Sequence, residues 1–237
     1  MRLAGRHAIV TGGGTGIGAA IAAGLEAEGA RVSRIGRRPE KLGPNGFAAD
    51  VSDRAQVERA FAAARGAGGP ISILVNNAGA AAGVAFAKVT PALWREMMAV
   101  NLDGVFHCCQ TALPDLLAAQ AGRIVTISSM AGLAGFAYAS PYIAAKHGAV
   151  GLMRALAAEY ARTPLKANAV CPGFVDTEMT VDSVANIQAK TGRSEAEARA
   201  ELARLNPSGR LIAPEEVAAA VLALVLSGRN GEAVEIA

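Results

Sequence analysis

The strongest constraint on this chain is its alternation of short, continuous apolar runs with longer helical patterns along its whole length. Residues 7–10, 31–35, 46–49, 71–75, 123–127, 166–170 and 233–236 read as strands. Between them, 16–29, 57–64, 90–120 and 140–161 carry helical patterns, and Pro214, Glu215 and Glu216 open another helix. Strands joined by helices make βαβ units, whose right-handed crossovers build a parallel sheet. The runs are near-continuous in apolar residues, as burial on both faces requires. The expected fold class is therefore α/β: one domain over residues 1–237, a doubly wound parallel sheet of Rossmann type with helices on both faces. Composition agrees, because 52% of residues are hydrophobic but only 4% aromatic, so Ala, Val, Leu and Ile must build the core. Thr90 is expected to cap the 90–120 helix with Pro91 in its first turn, and Pro114 to interrupt or kink it.

Other function classes fit poorly. The net charge is +3, and its cations are scattered, so no nucleic-acid partner is expected. No apolar run reaches the ~18 residues that cross a bilayer, and residues 1–12 lack a signal-peptide pattern. The three cysteines, Cys108, Cys109 and Cys171, have no disulfide framework, which fits a reducing compartment and a cytoplasmic location. His7, His107 and His147 are not spaced with Cys or acidic residues as metal ligands, so no metal is expected.

The first strand runs directly into Thr11-Gly12-Gly13-Gly14-Thr15-Gly16-Ile17-Gly18, and a helix follows. Unpaired amides at a helix N-terminus attract phosphate, and glycines let a pyrophosphate approach the backbone. No Gly-Lys-Ser/Thr ending follows, which disfavours a nucleoside-triphosphate loop. A tight turn with no ligand is the plainer alternative. The second strand ends at Arg37-Arg38, where this fold meets the adenosine ribose. An acidic residue there would bind two ribose hydroxyls; guanidinium forks suit a 2′-phosphate instead. NADP is therefore favoured over NAD.

Tyr142 and Lys146 lie four residues apart on one helix face. An ammonium near a phenol favours the phenolate, so the pair can exchange a proton with a carbonyl or alcohol. Ser129 follows the 123–127 strand, at the carboxyl edge where ligands of this fold bind, and can donate to a developing oxyanion.

Together, the 11–18 turn, Asn76-Asn77-Ala78-Gly79, Ser129 and Tyr142-x3-Lys146 resemble the classical short-chain dehydrogenase/reductase family, in that family's order. The resemblance implies that Gly12, Thr15, Gly16, Ile17 and Gly18 wrap the pyrophosphate, and that Asp50 and Val51 contact adenine. It implies that Asn77, Ala78 and Gly79 support the adenosine side, and that Asn101 holds a water for proton relay. Lys146 would also bond the nicotinamide ribose, with Pro172, Gly173, Val175 and Thr177 around the nicotinamide and phosphates. The expected activity is hydride transfer between nicotinamide and a carbonyl or secondary alcohol, with Tyr142 moving the proton. The pattern is similar to 3-oxoacyl-thioester reductases and 3-hydroxyacyl dehydrogenases; a sugar, a steroid or a small ketone is the alternative substrate. The rival class is a non-catalytic dinucleotide sensor or scaffold.

The polar stretch at about 176–206 breaks the strand–helix alternation and is expected to be a substrate lid. The short 38–50 interval implies a reduced helix and a more open adenosine pocket. The sequence stops at Ala237, where the family commonly continues, so a missing tail is expected to affect the subunit interface. A homo-oligomer, tetramer or dimer, is expected from the family, with the alanine-rich helix after Pro141 permitting close approach.

Overall fold

The computed structural model describes residues 1–237, the side chains of Asp182 and Lys190 excepted. Seven parallel strands form one sheet: β1 (His7–Thr11), β2 (Arg31–Gly36), β3 (Gly46–Ala48), β4 (Ile73–Asn76), β5 (Arg123–Ile127), β6 (Lys166–Pro172) and β7 (Ala233–Ile236). Their order is β3-β2-β1-β4-β5-β6-β7, so the direction of winding reverses between β1 and β4. Ligands of such sheets bind at the carboxyl ends beside that reversal.

Neighbouring strand residues bury into opposite layers. Ala8, Val10, Ile73, Val75, Val125 and Val170 pack with α1 (Gly16–Ala27) and α8 (Pro214–Leu226). Ile9, Leu74, Ile124 and Ala169 face the other layer, with α2 (Arg54–Gly68), α4 (Gly104–Ala118) and α5 (Ser140–Glu159). This is why β1 and β4, at the centre of the sheet, are buried at every position. Each fully buried Val, Leu or Ile contributes about 1.5–3 kcal/mol, so the two layers hold the strand ends rigidly. Between β2 and β3 only the short turn Pro39–Lys41 is helical, as the brief 38–50 interval implied.

The long helix of 90–120 differs from expectation. Thr90 does cap it, accepting from the Leu93 amide at 3.1 Å, with Pro91 in the first turn of α3 (Pro91–Met98). The break, however, is a π-turn over Ala99–Asp103, and α4 continues through Pro114. Pro114 removes one backbone donor, but Cys108, Ala112 and Leu116 bury the same helix in the core and hold it together. The 176–206 stretch forms α6 (Glu178–Thr191) and α7 (Glu195–Arg204), which share a small apolar cluster of Val184, Ala198 and Leu202. No helix among the described residues is long and apolar enough to cross a membrane.

Candidate active site

The glycine turn is closely packed at the carboxyl end of β1. Gly12 (φ +63°) and Gly16 (φ +50°) adopt the left-handed backbone that favours glycine. A Cβ at Gly18 would sit 2.1 Å from the Gly12 carbonyl oxygen and 2.5 Å from Asn77 Nδ2, so no larger residue fits. Thr15 caps α1 without a side-chain bond, which leaves the first-turn amides around Ile17 for an anion. Thr11 Oγ1 accepts from the amides of Asn77 and Ala78, both at 3.0 Å. In return, Asn77 Nδ2 donates to the Thr11 and Gly12 carbonyls at 3.0 and 3.2 Å. These bonds join the end of β4 to the turn and set its shape in advance. The turn fits a pyrophosphate.

At the adenosine end, Asp50 Oδ1 accepts from the Ser52 amide at 2.9 Å and from the Ser52 hydroxyl at 2.7 Å. Val51 is buried, and its carbonyl accepts from His107 Nδ1 at 3.1 Å. Arg37 is exposed and makes no side-chain hydrogen bond among the described residues. Arg38 turns toward the glycine turn, with Nη2 donating to Thr15 Oγ1 at 3.4 Å and to Glu178 at 3.0 Å. The two arginines therefore occupy different environments.

Ser129, Tyr142 and Lys146 converge at the end of β5. Ser129 leaves the strand, and its Oγ accepts from the Ala131 amide at 3.1 Å. Ser128 lies beneath it and donates to the Lys146 carbonyl at 3.1 Å, fastening α5 to β5. Tyr138 has φ +64°, and its carbonyl accepts from the Val84 amide at 2.7 Å; this fixes the approach to α5. Lys146 is buried, and Nζ donates to the Ile127 carbonyl at 2.9 Å. Its amine lies 5.6 Å from the centroid of the Tyr142 ring.

The electrostatics correct one expectation. Burial pushes the Tyr142 phenol above its ordinary value, while a hydrogen bond with Ser129 draws it down. The same burial pushes Lys146 down to about 8. The ammonium bonds a backbone carbonyl rather than the phenol, so in this structure desolvation outweighs the expected acidifying effect on Tyr142.

Asn101 sits in the π-turn, fully buried. Its Nδ2 donates to the carbonyls of Ala80 at 2.9 Å and Met97 at 3.0 Å, while Oδ1 accepts from the Ala80 amide at 3.2 Å. Asn101 and Lys146 meet at Gly79, where a Cβ would lie 2.9 Å from Asn101 Oδ1 and 3.5 Å from Lys146 Nζ. The two side chains thus share one small space without bonding each other directly.

Pro172, the last residue of β6, is buried, and the Gly173 amide donates to the Ile236 carbonyl at 2.9 Å. Val175 is buried beside Ile212 in an isolated parallel bridge. Thr177 caps α6 and packs on the glycine turn: a Cβ at Gly16 would lie 3.2 Å from Thr177 Cγ2.

Sequence reasoning missed Asn206 and Lys41. Asn206 is buried, with Oδ1 accepting from the Phe174 amide at 2.8 Å. Its Nδ2 donates to the carbonyls of Phe174 at 2.9 Å and Arg210 at 2.6 Å. It imitates a strand partner for the segment after Gly173. Nothing local marks an asparagine 32 residues away as that partner. The buried cysteines carry no reactive character, since burial pushes Cys109 up to about 12 and Cys108 higher still.

Comparison with known proteins agrees with this geometry. The model of the short chain dehydrogenase family matches residues 6–188. The crystal structure of an actinorhodin polyketide ketoreductase variant with NADPH superposes with a TM-score of 0.93 at 35% identity, covering 100% of this chain and 97% of that one. D-beta-hydroxybutyrate dehydrogenase of Cupriavidus necator is 35% identical over 98% of this chain and 94% of its own. Acetoacetyl-CoA reductase of a Synechocystis species is 37% identical over 92% of this chain and 87% of its own.

Proposed function

This chain belongs to the short-chain dehydrogenase family and is an NAD(P)-dependent oxidoreductase; we propose that it reduces 3-oxoacyl thioesters with NADPH, Tyr142 supplying the proton. The observation that carries this reading is the convergence of Ser129, Tyr142 and Lys146 at the end of β5, beside a preset glycine turn. The names of the relatives support the substrate: a polyketide ketoreductase, an acetoacetyl-CoA reductase and a D-beta-hydroxybutyrate dehydrogenase. The acetoacetyl and beta-hydroxybutyrate names each place the oxygen at the 3-position, the former on a thioester, and the polyketide enzyme's name gives a ketone reduction.

The cofactor, when bound, supplies the hydride. Gly12, Thr15, Gly16, Ile17 and Gly18 hold its pyrophosphate, and Arg38 with Arg37 holds the 2′-phosphate. Asp50, Val51, Asn77, Ala78 and Gly79 line its adenosine side, and Pro172, Gly173, Val175 and Thr177 its nicotinamide side. Ser129 and Tyr142 donate hydrogen bonds to the substrate oxygen, where negative charge develops. Tyr142 then gives up its proton to that oxygen. The Lys146 ammonium stabilises the phenolate left behind, and Asn101 positions a water that returns a proton from solvent. Residues 176–206 close over the substrate as a lid on a domain spanning 1–237. In this reading the protein works in the cytoplasm as a dimer or tetramer, and the buried free thiols suit that compartment.

A dinucleotide sensor has no need of a lysine buried at a desolvation cost beside a phenol. The test is kcat/KM for acetoacetyl thioesters with NADPH and with NADH. NADPH should be preferred by at least about tenfold, because paired guanidinium–phosphate bonds are charge-assisted. A preference for NADH overturns the cofactor assignment. Turnover of small ketones but no thioester overturns the substrate.

A further inference from the structure

One carboxylate lies where the proposed cofactor needs an anion. Glu178 opens α6 and is exposed. Its Oε2 accepts from Arg38 Nη2 at 3.0 Å, and its Oε1 accepts from Lys41 Nζ at 2.9 Å. The same Arg38 nitrogen reaches Thr15 Oγ1 at 3.4 Å, so this ion cluster borders the glycine turn. Lys41 is held there by its backbone: a Cβ at Gly14 would meet the Lys41 carbonyl oxygen at 2.8 Å. The adjoining Thr177 packs against Gly16. Two cations from one side of the cleft thus hold one carboxylate from the other, each oxygen facing its own cation. A phosphate monoester makes the same demand, and it carries more charge.

We infer that Glu178 is the internal occupant of the 2′-phosphate subsite, that Lys41 completes this subsite beside Arg38, and that NADP must displace Glu178 to bind. This rests on the NADP reading above and deepens it. Lys41 and Glu178 become specificity-determining residues with opposite signs. Lys41 favours the 2′-phosphate. Glu178 opposes it by competing for both cations and by repelling a dianion. NAD, lacking that phosphate, leaves the pair in place. Displacement also frees the N-terminus of α6, so the nature of the cofactor is felt by the lid. The neighbouring cations hold the Glu178 carboxyl below its ordinary range, so the competitor is charged at neutral pH.

The test measures binding by calorimetry on the whole protein with NADP, NAD and 2′,5′-ADP. Each exposed pair is weak and competition scales with occupancy, so Glu178→Gln should tighten NADP and 2′,5′-ADP about fivefold to tenfold. NAD should change by less than about twofold, since it makes no use of the cations. Lys41→Met should weaken NADP, and more so in the Glu178→Gln background than in wild type. Hydrogen exchange of the first turn of α6 should rise with NADP and not with NAD. Unchanged NADP affinity in Glu178→Gln, in a wild type that still prefers NADP, overturns the inference and leaves the cofactor reading standing. A wild type that binds NAD as tightly as NADP, with Glu178→Gln making no difference, overturns both. Weaker NAD binding in Glu178→Gln would mean that the carboxylate holds the ribose hydroxyls, and would also overturn the inference.

Discussion

Ser129, Tyr142 and Lys146 stand on β5 and α5, where Ile124, Val125, Ala145 and Ala149 are fully buried. α6 and α7, by contrast, share a small cluster whose buried apolar residues among those described are Val184, Ala198 and Leu202. Phe174 and Leu211 pack on that cluster from outside, and polar contacts link Glu178 with Arg38 and Lys41, and Asn206 with Phe174. The Ser129–Tyr142–Lys146 side therefore rests on the large sheet core, whereas the 176–206 side rests on a small cluster of its own, and small clusters open locally at lower cost. The comparison teaches that this chain separates precision from access. Chemistry needs atoms held within fractions of an ångström. Entry of substrate and cofactor needs a segment that opens at low cost.

The largest test of the precise side is Tyr142→Phe. It removes the proposed proton donor with little change in packing, so turnover should fall by about a hundredfold to ten-thousandfold while NADPH still binds in a fluorescence titration. Near-normal turnover would remove Tyr142 from the mechanism.

A second test uses pH. Lys146 is pushed by burial to about 8, below its ordinary value, while the phenol is pushed upward. The ammonium therefore loses its proton before Tyr142 does. The proposed mechanism uses the ammonium, so kcat/KM should be flat below pH 8 and fall about tenfold per unit above it. A profile that stays flat to pH 10 would show that the amine's charge is not used.

The smallest effect separates the two sides. Val184→Ala empties part of the cluster shared by α6 and α7 and should cost about 1–3 kcal/mol. Because the loss is local, amide exchange over 178–204 should rise with little change in the global Tm. Val125→Ala, of the same chemistry in the sheet, should lower the global Tm. If both variants lower Tm equally, the α6–α7 pair and the sheet unfold as one unit and the comparison fails.

Much of this was legible in the residues. The central strands announce themselves because burial on both faces favours apolar side chains, and the expected bounds 123–127 and 233–236 coincide with β5 and the edge strand β7. Ser129, Tyr142 and Lys146 could be grouped because strand ends and helix faces are local properties. The helix break was misplaced because it depends on where Asn101 finds partners, at Ala80 and Met97, and not on the proline that local rules single out. The direction of the Tyr142 shift was misread for a related reason: spacing shows the nearby amine but not the loss of water around the phenol.

The amino-acid sequence by itself determined the doubly wound sheet, the glycine turn after its first strand, and the residues that can carry a proton at its carboxyl edge. These rest on periodicity and on contacts between near neighbours. Only the tertiary structure decided which cation meets Glu178, 140 residues beyond Arg38, and which asparagine fastens the segment after Gly173. Such pairings depend on how separate elements dock, and docking is a property of the whole packed core.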